Sequence, residues 1–211
     1  MLRPYLCYQM KFQTPTFFHR LFPELLWNVP VTNDTIYLTF DDGPHPDITP
    51  KVLNILSQFD AKACFFCVGN NVHSYPQTFH QVTDAGHLIG NHSYYHINGW
   101  RTPDDHYFED VDACNKLVRS RFFRPPYGKI RPSQIKYLKK NYQLVMWSVV
   151  TYDFDADTAK KDCLNIAISK TSRGSIVVFH DSAKAEKNML YALPRYLEYF
   201  SKMGFRFETW K

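Results

Sequence analysis

The sequence predicts a single α/β domain built on a mostly parallel sheet. Short apolar runs alternate with stretches of helical periodicity from about residue 35 to the end of the 211-residue chain. Two of the runs, 145–150 and 176–179, are nearly continuous in apolar residues, as strands covered on both faces are. No internal repeat, low-complexity tract or linker interrupts the alternation, so one domain (35–211) is expected behind an irregular arm (1–34).

The strands predicted in order are 36–40, 63–68, 88–90, 122–124, 144–150, 175–179 and 205–209. Thr49 followed by Pro50 reads as a cap and first helical position, with Val52, Leu53, Leu56 and Phe59 at helical spacing. Asp104 or Asp105 opens a helix whose buried side is expected to be Phe108, Val111, Cys114, Leu117 and Val118. Pro132 and Ser133 start another, carrying Ile135 and Leu138. Asp157 is placed as the cap of a helix with Cys163, Leu164 and Ile168, stopped near Gly174. The last helix carries Met189, Leu190, Leu193, Leu197 and Phe200 and ends before Gly204.

Composition narrows the function classes. A formal net charge of +5 is modest and scattered, without the basic stripe that nucleic-acid binding requires. The five cysteines are dispersed and odd in number, which does not suggest a disulfide framework. Cys64 and Cys67 have C-x-x-C spacing but sit in a predicted strand, where that spacing sends them to opposite faces, so core packing is expected. The arm's aromatic residues are broken up by Arg3, Pro4, Gln9, Lys11, Gln13 and Pro15, and no segment approaches membrane-spanning length. A soluble, cytoplasmic protein with no membrane span is the expectation.

Five segments at predicted strand ends carry chemistry. Thr39-Phe40-Asp41-Asp42-Gly43-Pro44 ends an apolar run in two adjacent carboxylates and a turn. Adjacent acids repel, and a bound cation is one reason to keep them together, although Asp-Asp-Gly-Pro also builds a plain turn. Asn91-His92-Ser93-Tyr94-Tyr95-His96 offers two imidazoles four residues apart. Two imidazoles and a carboxylate would leave coordination positions open, as catalytic zinc sites do. Arg124-Pro125-Pro126-Tyr127-Gly128 sets a cation before a stiff turn, where it could hold Asp41 ionised through a bidentate pair. Asp153 is the first acid after the strand containing Trp147, and the apolar run 176–179 delivers His180-Asp181.

These segments, in this order, resemble the polysaccharide deacetylases, the NodB-homology or family four carbohydrate esterases. The resemblance covers roughly residues 35–210 and rests most on T-F-D-D-G-P and H-S-x-x-H. It implies a distorted (β/α) barrel of about seven parallel strands. It also implies hydrolysis of the N-acetyl group of an amino sugar in an oligo- or polysaccharide such as peptidoglycan or a chitin-like chain, releasing acetate. By the same resemblance, Asp41 is the base and His180 the acid. Arg124 steadies Asp41, Asp153 supports the network, and the Tyr127 N–H helps hold the oxyanion. Asp42, His92 and His96 bind a divalent metal, usually Zn2+. The implied partner is an N-acetylated carbohydrate, and no protein partner is inferred.

The chain departs from the family pattern at Ser148 and Val150, where many members have acids near Trp147, and at Phe154, where tryptophan is usual. Two other readings stay open beside the leading one: metal-dependent hydrolysis of a small amide or imide, and a sugar-binding relative that has lost turnover. In the arm, Phe17, Phe18, Phe22, Leu25, Leu26 and Trp27 are expected to pack along the barrel, covering its missing strand position or one end.

Overall fold

The structure, a computed structural model, describes residues 16–210, with side chains from His19 onward; the arm's Cys7, Phe17 and Phe18 lie outside the described side chains. The frame is a set of strands, β1 Thr35–Asp41, β2 Ala63–Cys67, β3 Leu88–Asn91, β4 Phe122–Phe123, β5 Gln143–Leu144, β6 Val149–Val150, β7 Ile176–His180 and β8 Arg206–Phe207. Seven of them lie in the order β5-β4-β3-β2-β1-β7-β6, all parallel, and curl into a half-barrel; β8 adds to the start of β1. The helices are α1 Thr16–Leu21, α2 Thr49–Ser57, α3 Gly69–Ser74, α4 Pro76–Asp84, α5 Asp104–Val118, α6 Pro132–Leu138, α7 Lys160–Lys170 and α8 Glu186–Lys202.

Strand alternation divides the core into an outer shell and an interior. Every residue of β1 is buried. Ile36, Leu38 and Phe40 pack outward with Val52 and Leu56 of α2 and Leu193 and Tyr196 of α8. The alternate residue Tyr37 packs inward with Cys64, Phe66, Phe122, Ile176 and Trp210, which plug the barrel below the site. Cys64 and Cys67 fall in these two different clusters, opposite faces of one strand, and are free thiols. Burial pushes both thiols well above their ordinary pKa, so neither is a reactive thiolate.

Four expectations are corrected. The predicted strand 144–150 is broken into β5 and β6, because backbone groups between them are taken up elsewhere. Val145 and Met146 carbonyls accept from Arg124, and Met146 N–H donates to Leu26. Thr49 is the first residue of α2 rather than its cap, and its hydroxyl is spent on Asp181. Asp157 does not cap α7, which begins three residues later; there Asp155 accepts from Asp157 N–H and the Thr158 hydroxyl, closing a turn. On α5 the buried face is Tyr107, Asp110, Val111, Cys114 and Val118, while Leu117 is exposed.

The described part of the arm runs into the gap beside β5. Leu26 N–H donates to Leu144 O at 2.8 Å, Leu26 O accepts from Met146 N–H at 2.8 Å, and Val29 N–H donates to Gly174 O at 2.9 Å. Leu25 and Trp27 are buried against Tyr107, Phe123 and Met146.

Candidate active site

The C-terminal ends of the parallel strands converge on one cavity of about 720 Å³, lined among others by Asp41, Asp42, His92, His96, Tyr127, Trp147, Phe154 and His180. This is the edge where α/β barrels carry their chemistry. Asp41 is the last residue of β1 and His180 the last of β7, and the two strands pair with these residues directly in register. Parallel neighbours in register point the same way, so sheet pairing alone sets a carboxylate beside an imidazole.

Arg124 fixes Asp41 from below. Its side chain is fully buried, with Nη1 donating to Asp41 Oδ1 at 2.7 Å and to Thr39 Oγ1 at 2.7 Å. Nε and Nη2 donate to the carbonyls of Val145 and Met146 at 3.2 and 2.8 Å, and the guanidinium lies 4.1 Å above the Phe66 ring. The expected bidentate pair is therefore a single hydrogen bond, because the rest of the fork is occupied by Thr39 and the two carbonyls. Thr39 belongs to the T-F-D-D-G-P segment, but the sequence alone assigns it no role there. It precedes Asp41 by two on a strand, the spacing that puts both on one face.

The imidazoles come from the loop after β3. His92 is buried, and its Nδ1–H donates to Arg124 O at 2.7 Å, which leaves the Nε2 lone pair aimed at the acids. Nε2 lies 4.0 Å from Asp41 Oδ2 and 3.9 Å from Asp42 Oδ1. Burial pushes His92 down to about 4 against the pull of Asp41 and Asp42, so the ring is neutral at pH 7. His96 Nε2 lies 3.2 Å from Asp42 Oδ1. Burial favours the protonated form of Asp42, but the hydrogen bond from His96 and the neighbouring rings of His180, His92 and His96 outweigh it and hold the carboxyl well below the usual range.

The His loop is tight, with Ser93 at φ 62° and His96 at φ 55°, and side chains hold it. Asp110 of α5 accepts from the Tyr94 N–H at 2.7 Å and from the Tyr95 N–H at 3.2 Å. Asn91 Oδ1 accepts from Ser93 N–H at 2.9 Å. Asp110 carries no sequence signal for this role, since it stands in the middle of an ordinary amphipathic helix.

Donor atoms of Asp42, His92 and His96 all lie within 4.8 Å of one another. Two imidazole nitrogens and a carboxylate oxygen, with one ring oriented by a backbone carbonyl, fit a divalent cation of the zinc type.

On the opposite side, Asp153 is buried and accepts twice from His180, at 2.8 Å from the backbone N–H and 2.7 Å from Nδ1–H. Burial opposes the charged ring, but the charge and hydrogen bond of Asp153, then Asp42 and Asp41, raise His180 to about 9. The imidazolium is the form present at neutral pH, with Nε2 directed away from Asp153. Tyr127 stands at the mouth with φ 61°, more than half exposed, its ring 4.6 Å from that of His96.

Of the departures from the family pattern, Val150 and Phe154 line the cavity, whereas Ser148 exchanges hydrogen bonds with Ile176 across to β7. Two of the remaining histidines hold local backbone groups. His45 Nδ1 accepts from Asp47 N–H at 3.2 Å, and His87 Nδ1 accepts from Ala63 N–H at 3.2 Å.

Two imidazoles beside a carboxylate, a buried carboxylate held by arginine and a protonated histidine in one cleft define a metallohydrolase site on an α/β barrel. Comparison with known proteins narrows this class. The polysaccharide deacetylase family profile matches residues 28–146. A peptidoglycan-N-acetylglucosamine deacetylase of Bacillus cereus is 34% identical over 87% of this chain and 89% of its own length. A chitooligosaccharide deacetylase of Azorhizobium caulinodans is 31% identical over 74% of this chain and 78% of its own. The crystal structure of the Bc1960 peptidoglycan N-acetylglucosamine deacetylase superposes with a TM-score of 0.86 at 29% identity, covering 93% of this chain and 94% of the other. The chain belongs to the polysaccharide deacetylase family. Among the described residues no helix is long and apolar enough to cross a membrane.

Proposed function

We propose that this protein is a zinc-dependent N-deacetylase that hydrolyses the acetamide of an N-acetylated amino sugar within an oligo- or polysaccharide, releasing acetate. One observation carries the reading. A carboxylate held by arginine and a protonated histidine stand in register on adjacent strands, beside a three-donor cation site, in a single cavity.

Asp42, His92 and His96 would hold the ion. When bound, a divalent cation makes water a better nucleophile near neutral pH and polarises the substrate carbonyl. Asp41 has one oxygen fixed by Arg124 and the other toward His92, so it takes the proton of the attacking water. Arg124 fixes the orientation of that carboxylate through its 2.7 Å bond to Oδ1. The Tyr127 N–H donates to the acetyl oxygen as charge builds there, a contribution whose loss typically costs about 10²–10³ in rate. His180 gives its Nε2 proton to the departing amine, and Asp153 holds the ring's other nitrogen and stabilises its charge. Trp147 and Phe154 on the wall suit the apolar faces of a pyranose ring.

A purely sugar-binding role leaves the Arg124–Asp41 and Asp153–His180 pairs without a purpose. Acetate release from N-acetylated chito-oligosaccharides, run beside small cyclic imides and beside chelator-treated protein, tests the reading. Metal-dependent acetate release from the oligosaccharides supports it; turnover of the imides alone, or of neither, overturns it.

A further inference from the structure

The mechanism leaves one buried carboxyl of the site unused. Asp181 follows His180 and is fully buried. Its Oδ2 accepts from the Thr49 hydroxyl at 2.5 Å, and Thr49 Oγ1 in turn accepts from the His45 N–H at 2.8 Å. Its backbone N–H donates to Asp41 O at 3.2 Å. Oδ1 has no hydrogen-bond partner among the described residues. A methyl group placed on Gly43 would overlap both carboxyl oxygens. The carboxyl therefore fills the space behind Gly43 and is roped through Thr49 to His45, so it touches the turn after Asp42 at two points.

That turn needs holding. Asp42 has φ 77°, a left-handed conformation that is strained for a non-glycine residue and persists only where the surroundings over-determine it. Asn71 Nδ2 donates to Asp42 O at 2.7 Å and Val68 N–H donates to Gly43 O at 2.9 Å, which pins the turn from the β2 side. From the β7 side, Asp181 is the side chain that meets it.

We propose that Asp181 is a positioning residue: clamped by Thr49 and seated against Gly43, it fixes the Asp41–Asp42 turn so that the Asp42 carboxylate faces His92 and His96. The proposal rests on the reading of Asp42 as a metal ligand. It also explains why glycine stands at 43, since any side chain there would displace the clamp.

The test uses the full chain as Asp181→Ala, Asp181→Asn, Gly43→Ala and the Gly43→Ala/Asp181→Ala double variant. Zinc affinity is read by competition with a chromogenic chelator, and stability by thermal unfolding. Asp181→Ala should weaken zinc binding by about 10–100-fold, the range for residues that orient a ligand. Asp181→Asn keeps an oxygen for Thr49 and the same shape beside Gly43, and should stay within about threefold of wild type by the same scale. Gly43→Ala should be harmful in the native background and much less so when Asp181 is alanine, a non-additivity that two independent sites would not give. Wild-type zinc affinity in Asp181→Ala, or an equal loss in Asp181→Asn, overturns the proposal. So does strict additivity of the double variant. If the wild-type protein binds no zinc, the metal reading itself fails, while the Gly43–Asp181 coupling in unfolding still judges the clamp.

Discussion

Replacing Asp153 by asparagine is expected to take the proton from His180 in the working pH range. The ring's rise from 6.5 to about 9 corresponds to roughly 3 kcal/mol of preference for the charged form at about 1.36 kcal/mol per pKa unit. Burial acts against that preference, and Asp153 is the foremost of the groups that overcome it, through its charge and its 2.7 Å bond to Nδ1. Asparagine can keep the bond to the His180 N–H, but it offers no charge, so burial then prevails and the pKa falls to its ordinary value or below. At pH 7.5 the wild-type ring is nearly all imidazolium, whereas the variant ring would be so in at most about a tenth of molecules. Activity at that pH should drop at least about tenfold, up to the full 10²–10⁴ that a general acid supplies.

The assay has two parts. The pH dependence of kcat/KM for acetate release should lose its alkaline plateau, with the descending limb moving toward acid. NMR titration of the His180 ring in metal-free protein should give about 9 in the wild type and a value near or below 6.5 in the variant. The stability signature has a definite sign. A folded-state pKa raised above the unfolded value contributes stability that is complete below 6.5 and is lost as pH climbs through about 9. The wild type should therefore weaken across that window, and the variant should show a flatter profile. A ring that still titrates near 9 in Asp153→Asn, or an unmoved alkaline limb, refutes the assignment of Asp153 as the source of the charge.

Other perturbations have equally definite outcomes. Arg124→Met strands the buried Asp41 carboxylate without its cation and should cost about 3–5 kcal/mol in urea unfolding; Arg124→Lys cannot reproduce the fork and should recover little of this. Asp42→Ala and His96→Ala each remove one of three donors, so chelator competition should show zinc affinity down by more than about 100-fold, beyond what loss of an orienting partner costs. Deleting residues 1–30 removes the buried Leu25 and Trp27 and the bonds of Leu26 and Val29, worth roughly 3–6 kcal/mol of apolar burial. At about 2–4 °C per kcal/mol for a chain of this size, the melting temperature should fall by about 6–24 °C.

The sheet and the site were legible in the sequence for different reasons. Strands β1, β2 and β7 announced themselves because burial on both faces forces continuous apolar runs, and their last residues then fell at the functional edge. The eight side chains named from the motifs all reach one cavity or its floor. What could not be read is what the tertiary fold alone supplies. Asp110 holds the His loop from a helix whose sequence looks ordinary, and Thr49 resembles a helix cap although its hydroxyl serves Asp181. The break at 145–148 is likewise invisible, since Val-Met-Trp-Ser has the composition of a strand and only the partners of its backbone groups show otherwise.

That break and the buried cation are one feature. A guanidinium fully withdrawn from water needs acceptors for its donors, and a barrel interior built from paired strands has none to spare. The chain supplies them by leaving β5 and β6 apart, so that the carbonyls of Val145 and Met146 turn to Arg124 instead of to a neighbouring strand. The alternate groups, Leu144 O and Met146 N–H, are then met by Leu26 from the arm. An unbroken strand at 144–150 would close the sheet more regularly and would leave Arg124 short of two partners. Its hold on Asp41 would loosen in turn, since that carboxylate has no other cation within bonding distance among the described residues. The irregularity of the barrel is thus a condition for Arg124's hold on Asp41, and the arm completes the pairing that the irregularity leaves open.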